Sequence, residues 1–177
     1  MPDTILYIAP VKLQLNLILG LPVIQQLQEI QWDSSGYMTI PLTPAKNDLH
    51  NFALDGLDPV LGLITDNDTL GFHFDTGASS SVLYSAWFEN HKAAILKTAI
   101  KKTQTFGGAG GVRKKDSYVL PTLRLTLNDK TVTVDSVTIF PKKIFLNEKL
   151  YGNIGQDFMH QFSKMTFNFR YMYVTGH

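Results

Sequence analysis

Apolar and polar residues alternate with a period of two along Leu70-Gly71-Phe72-His73-Phe74-Asp75. That pattern predicts a strand with Leu70, Phe72 and Phe74 facing the core and Gly71, His73 and Asp75 facing the other way. The strand delivers one carboxylate, Asp75, into a turn of small residues, Thr76-Gly77-Ala78-Ser79-Ser80. Before it, Val60-Leu61-Gly62-Leu63-Ile64 reads as the first arm of a hairpin, with Asp66-Asn67-Asp68 as the turn. After it the period changes to that of a helix, which Ser85 caps and which runs through Trp87, Phe88, Ile95 and Ala99. The polar face of that helix carries Lys92, Lys97, Lys101 and Lys102. Phe106-Gly107-Gly108-Ala109-Gly110-Gly111 reads as a flexible glycine-rich loop. Strands follow at 118–120, 123–127 and 132–139, then a short helix opening at Gly155 and two closing strands, 165–169 and 171–174. The predicted class is mostly β, with one longer and one short helix.

The first 41 residues show the same vocabulary in shorter form. Thr4-Ile5-Leu6-Tyr7-Ile8 is a β-rich run, Pro22 stands near the start of a short helix, and Tyr37-Met38-Thr39-Ile40 follows the turn Asp33-Ser34-Ser35-Gly36. Shifting the sequence by 135 positions places Gly20 on Gly155, Val23 on Phe158, Leu27 on Phe162, Ile30 on Met165 and Trp32 on Phe167. Upstream, the run from Thr4 to Pro10 parallels Ser136 to Pro141, with a small change of length. Residues 1–41 therefore read as the C-terminal part of a truncated preceding lobe, 42–49 as a linker with a proline and a polar end, and 50–177 as a complete lobe. A tail of about 40 residues lacks a core of its own, so it is expected to dock on the main lobe or swap into another chain.

Composition narrows the function classes. With 177 residues, 44% of them apolar and 18% charged, the chain suits one globular domain or one domain with a piece of another. A net charge of +1 gives no field to attract polyanions, so no nucleic-acid partner is expected. The absence of cysteine excludes disulfides, a thiolate nucleophile and a Cys-type zinc site. His50, His73, His91, His160 and His177 have no metal-ligand spacing, and neither a metal nor a cofactor is expected. The apolar run from Val11 to Ile24 is interrupted by Lys12, Gln14, Asn16, Gly20 and Pro22. It is read neither as a membrane span nor as a targeting signal, which leaves the compartment, including export of a longer parent, open. The glycine loop lacks the Lys-Ser/Thr of a phosphate cradle, and Ser79-Ser80-Ser81 lacks a nucleophile elbow.

Phe72-His73-Phe74-Asp75-Thr76-Gly77-Ala78-Ser79 resembles the apolar-apolar-Asp-Thr-Gly-Ala-Ser signature of retropepsin-like aspartic peptidases, the branch of retroviral proteases and their bacterial two-lobed relatives. The order of neighbouring features strengthens the resemblance: a hairpin before the motif, a glycine-rich segment about 30 residues after it, and Ile154-Gly155 before a short helix. It covers residues 50–174, with 1–41 similar to the end of a preceding lobe.

The resemblance implies a closed β-barrel lobe that hydrolyses peptide bonds with a water held between two carboxylates sharing one proton. Asp75 would be one of the two. Thr76 would tie the loop to its mate across the site, Gly77 would offer an unobstructed N–H, Ala78 and Ser79 would support the turn, and Ser79 would hydrogen-bond the outer carboxylate oxygen. Ile154 and Gly155 would hold the loop from beneath. Gly107, Gly108, Ala109, Gly110 and Gly111 would form a flap over a peptide or protein substrate. Only one such motif is present, since Asp55-Gly56 lacks the threonine. The second aspartate is expected from a second retropepsin-like lobe, upstream in the same polypeptide or in a homodimer. The alternative function is a catalytically inactive, protease-like module that binds peptides or proteins. The basic residues Arg113, Lys114 and Lys115 and the helix after Ser85 depart from the compact viral enzymes and leave substrate preference open.

Overall fold

The structure, a computed structural model, describes residues 19–108, 111–146 and 148–177, with backbone alone for 104–108 and 111–113. The strand expected at Thr4-Ile5-Leu6-Tyr7-Ile8, and Ala109 and Gly110 of the expected flap, lie outside the described residues. In chain order the elements are α1 (Leu21–Gln26), β1 (Glu29–Asp33), β2 (Met38–Thr39), β3 (Phe52–Asp55), β4 (Asp58–Thr65), β5 (Asp68–Phe74), β6 (Val82–Leu83) and α2 (Ser85–Thr98). They continue with β7 (Ile100–Gly108), β8 (Gly111–Leu127), β9 (Lys130–Ile139), β10 (Gly152–Ile154), α3 (Gln156–Met159), β11 (Lys164–Asn168) and β12 (Tyr173–Gly176). The chain is mostly β.

Eight strands form one sheet in the order β3-β4-β5-β10-β6-β9-β8-β7, and a further pairing of Ile64 with Thr126 joins β4 to β8 and curls the sheet round on itself. The alternation along β4 and β5 decides which side faces inward. Leu61, Leu63 and Phe72 are fully buried beside Leu125, Leu127, Ile139 and Ile154. Each such side chain contributes about 1.5–3 kcal/mol relative to exposure. The β4–β5 hairpin closes through Asp66 and Asn67, both with positive φ (50° and 69°), the pair of left-handed residues that matches the twist of a two-residue turn. Helix α2 seals one side of this core with Trp87, Phe88 and Ile95.

Three local expectations change. Ser85 is the first helical residue and not the cap: Tyr84 holds that position without a side-chain bond, while the Ser85 N–H and hydroxyl donate to Glu148 Oε1. Lys101 and Lys102 belong to β7, because the helix ends at Thr98. The segments expected as separate strands around Pro121 are one strand, β8. Proline offers no N–H to the β8–β9 ladder, and Ser136 opposite it turns to a φ of 57°, so the register skips one pair and resumes at Thr122 with Asp135.

A second sheet, β12-β11-β1-β2, joins the N-terminal tail to the lobe. Strand β1 runs antiparallel to β11, from Glu29 opposite Asn168 to Asp33 opposite Lys164. The tail thus docks on the main lobe of its own chain. Its anchor is Glu29, a fully buried carboxylate that accepts hydrogen bonds from the Ala45 N–H, Asn168 Nδ2 and Gln31 Nε2, each at 2.7 Å. Ala45, in the expected linker, is clamped further, since its carbonyl accepts from Asn168 Nδ2 and the Tyr173 hydroxyl. Asn51 stands in for a strand neighbour along β12, its Oδ1 accepting from the Val174 N–H and its Nδ2 donating to the Val174 carbonyl.

Asn168→Leu removes a donor from a buried carboxylate and is expected to cost about 2–3 kcal/mol. Urea denaturation of the purified variant checks this, and an unchanged midpoint would show that Glu29 is not held as described.

Candidate active site

Asp75 follows the last residue of β5, and the loop 75–81 carries the chain from β5 to β6. These two strands are not neighbours, because β10 lies between them, parallel to β5 and antiparallel to β6. The loop must therefore arch across the end of β10, and backbone bonds hold it there. The Asp75 N–H donates to the Ile154 carbonyl at 3.0 Å, and the Gln156 N–H donates to the Ala78 carbonyl at 2.8 Å. The Gln156 side chain adds a bond from Nε2 to the Thr76 carbonyl at 2.8 Å. Gly155 is where the two segments touch: a Cβ there would stand 2.6 Å from the Ala78 carbonyl oxygen and 3.1 Å from the Ser80 carbonyl carbon, so only glycine fits.

Within the loop the Ala78 N–H turns back to the Asp75 carbonyl, and the Gly77 N–H donates to Asp75 Oδ1 at 2.8 Å. Asp75, Thr76 and Gly77 are exposed, so the carboxylate is fixed by the backbone yet open to solvent and ligand. The structure thereby brings Asp75, Thr76, Gly77, Ala78, Ile154 and Gly155 together. Ser79 does not meet the expectation: it is exposed and makes no hydrogen bond to the carboxylate, because the loop is already turning towards β6 at that residue. The serine that braces the site is Ser81, 1% exposed, whose hydroxyl donates to Asp157 Oδ1 and accepts from the Gly155 N–H while its own N–H donates to Asp157 Oδ2. Gly107, Gly108 and Gly111 lie at the far end of the β7–β8 hairpin, where Gly107 pairs with Val112 and Gly108 with Gly111. The segment expected as a loop is therefore mostly a paired ladder.

Asp75 and Thr76 lie on the wall of a cleft of about 600 Å³. Its lining combines apolar side chains, among them Leu19, Leu21, Ile24, Trp32, Phe167 and Phe169, with polar and aromatic ones, Asp58, His73, Tyr84, Glu148 and Asn153. Burial raises the Tyr84 phenol well above the ordinary tyrosine range, and the negative charges of Glu148, Asp75 and Asp58 push it the same way. Tyr84 therefore stays a neutral hydroxyl beside the carboxylates. Glu148 is committed to structure, since Oε1 accepts from Ser85 and Oε2 from the Ile144 N–H, which ties Ile144 and Glu148 to the start of α2.

Among the described residues no cluster of His, Asp and Glu could hold a metal ion, and no helix is long and apolar enough to cross a membrane. Ser81, Asp157, Tyr84, Gln156 and Glu148 carried no signal in the sequence. The bonds Ser81–Asp157, Ser85–Glu148 and Thr76–Gln156 span 76, 63 and 80 positions, beyond any local spacing rule.

The family model described as Aspartyl protease matches residues 61–158, more than half of the chain. The chain belongs to the aspartyl protease family. The matched span runs from the β4–β5 hairpin through the motif loop to the Gly155–Phe158 turn beneath it, so it contains every contact that holds Asp75. Among solved structures, this aspartyl protease chain is similar to the EIAV protease in complex with an inhibitor, at 18% identity over 65% of this chain and 91% of that one, with a TM-score of 0.40. It is also similar to a retropepsin-like aspartic protease from Rickettsia conorii, at 16% identity over 70% and 90%, with a TM-score of 0.44. No curated protein matches the chain.

Ser81→Ala strips two hydrogen bonds from Asp157 and Gly155 and is expected to lower stability by about 1–3 kcal/mol. Gly155→Ala, which forces Ala78 away, is expected to do more: it should also speed amide exchange at Gly77 and Ala78. Exchange rates at those amides that match the parent protein would show that Gly155 does not support the loop.

Proposed function

We propose that this chain hydrolyses peptide bonds as one half of a two-aspartate site. The observation that carries the reading is Asp75 itself, an open carboxylate at the end of a buried strand, fixed by the Gly77 N–H and facing a cleft large enough for side chains of a peptide. In the reaction, one carboxylate takes a proton from a water whose oxygen attacks the scissile carbonyl carbon. The partner carboxylic acid gives its proton to the carbonyl oxygen, which forms a neutral tetrahedral diol. Collapse of the diol breaks the C–N bond as the amine takes up a proton, and the two acids return to a singly protonated pair. Two carboxylates at that distance cannot both ionise, so the shared proton follows from their proximity.

Asp75 is assigned as one member of the pair, with Thr76 and Gly77 shaping its loop. The β7–β8 hairpin, through Gly107, Gly108, Ala109, Gly110 and Gly111, is assigned as the flap that closes on substrate and excludes water. The second aspartate comes from a second lobe or subunit, because Glu148 is engaged by Ser85 at the start of α2 and by the Ile144 N–H, and Asp58 is a strand residue paired with Asp55 at the start of β4. A second reading, a peptide-binding module without turnover, draws on the same fact: among the described residues there is one Asp-Thr-Gly loop.

Cleavage of an unfolded protein mixture should fall by about 10²–10⁴-fold in Asp75→Asn. Equal turnover by the parent protein and the variant would refute the catalytic role. Binding of the same peptides by both, with no cleavage by either once a second aspartate-bearing lobe is supplied, would select the module.

A further inference from the structure

The cleft holds hydrogen-bonding groups that the protein itself leaves unused. Tyr84, just past β6, is 4% exposed, yet among the described residues its hydroxyl has no hydrogen-bond partner. Every fully buried side-chain nitrogen or oxygen among those residues does have one, so the open side of this hydroxyl is the cleft that Tyr84 lines. The Asn153 carboxamide and the His73 imidazole line the same cleft and are likewise without hydrogen bonds among the described residues. The three come together because β10 runs beside β5 with Asn153 level with His73, and because the His73 ring lies 6.1 Å from the Tyr84 ring.

Charge at this place has one sign. The β4–β5 register sets Val60 opposite His73, so Asp58 lies two residues further along β4, on the side of Asp75. Asp58, Asp75 and Glu148 line the cleft with no lysine or arginine among the described lining residues, and none of the three forms an ion pair with a described residue. The bonds that Glu148 accepts from Ser85 and Ile144 come from neutral donors, so its charge is not cancelled. Burial first, and then the fields of Glu148, Asp75 and Asp58, keep the Tyr84 phenol protonated. An aromatic wall completes the surroundings: Phe145, which also lines the cleft, meets the Tyr84 ring edge-on with centroids 6.0 Å apart.

We propose that Tyr84, Asn153, Asp58 and Glu148 form a subsite for a lysine or arginine side chain of the peptide substrate, at a residue close to the bond that is cut. This rests on the peptidase reading above and adds a substrate class to it. His73 precedes Asp75 by two residues, about 7 Å along a strand, so the subsite lies within two residues of the reacting carbonyl on an extended peptide. Lysine and arginine head groups are pure donors. The Tyr84 oxygen, Asn153 Oδ1 and the carboxylates of Asp58 and Glu148 are the acceptors that match them. The aliphatic stem has Pro59 and Phe145 to lie against, and the aromatic faces favour a cation. An apolar side chain would leave the acceptors unpaired, and a glutamate would meet three carboxylates of its own sign.

The test is fluorescence anisotropy of labelled hexapeptides on the full chain, the peptides being identical except for one central residue: lysine, methionine, glutamine or glutamate. The lysine peptide should bind at least about tenfold more tightly than the methionine one, with glutamine between them and glutamate weakest. Tyr84→Phe keeps the ring in the core and removes only the hydroxyl, and Asp58→Asn keeps the shape of an exposed side chain. Each should lower the lysine-to-methionine affinity ratio by at least about threefold. A ratio is read because general loosening of the fold weakens both peptides alike. Equal affinity of the parent protein for the lysine and methionine peptides overturns the proposal, as does a ratio that both variants leave unchanged. Glutamine binding as tightly as lysine overturns the cationic class. Glutamate binding most tightly overturns it too, by making the exposed Lys142, Lys143 and Lys149 the determinant. Cleavage of the same peptides, with a second aspartate-bearing lobe supplied, is scored separately. Lysine-selective binding without cleavage upholds the subsite and refutes the peptidase reading, whereas cleavage of the lysine and methionine peptides at equal rates does the reverse.

Discussion

A three-residue strand sets the geometry of the site. Because β10 lies between β5 and β6, the loop that joins them has no path except over the end of β10, and Gly155 is the point where two backbones pass too closely for any side chain. Everything near Asp75 follows from that crossing. The Ile154 carbonyl fixes where the carboxylate leaves the sheet, Gln156 fixes the far side of the loop, and Ser81 with Asp157 locks the exit into β6. The carboxylate needs no side-chain partner, because the peptide units around it are already immobile. Preorganisation of this kind leaves both carboxylate oxygens accessible, with one of them touched only by the Gly77 N–H.

The same economy appears in the second sheet. Its inner strands, β1 and β11, pair along their full length, and the buried Glu29 adds a polar lock at one end of the pair. Satisfied by three donors, that carboxylate specifies register, since sliding β1 along β11 would strand it without partners. The sheet is therefore a fixed platform.

Much of this was legible in the sequence wherever the determinants are local. The motif and its hairpin could be read because alternation, two left-handed turn residues and the small residues after Asp75 all lie within 20 positions. That the tail must pair with other strands was legible for a different reason, since about 40 residues lack a core of their own. What stayed hidden depends on partners far away in sequence. Ser85 looks like a cap until Glu148 arrives from a later loop, and Ser79 looks like the supporting serine until Asp157 claims Ser81 instead. Pro121 looks like a strand end because a lone proline gives no hint that Ser136 yields opposite it.

The pairing of Glu29 with Asn168 spans 139 positions, and this has a consequence in time. During synthesis at 5–20 residues per second, β1 leaves the ribosome roughly 7–28 s before β11 exists to receive it. Through that interval Ile30 and Trp32 have no β11 to cover them, and Glu29 has no Asn168. The tail must wait for the last strands of the chain, so the completed platform is a late product of folding.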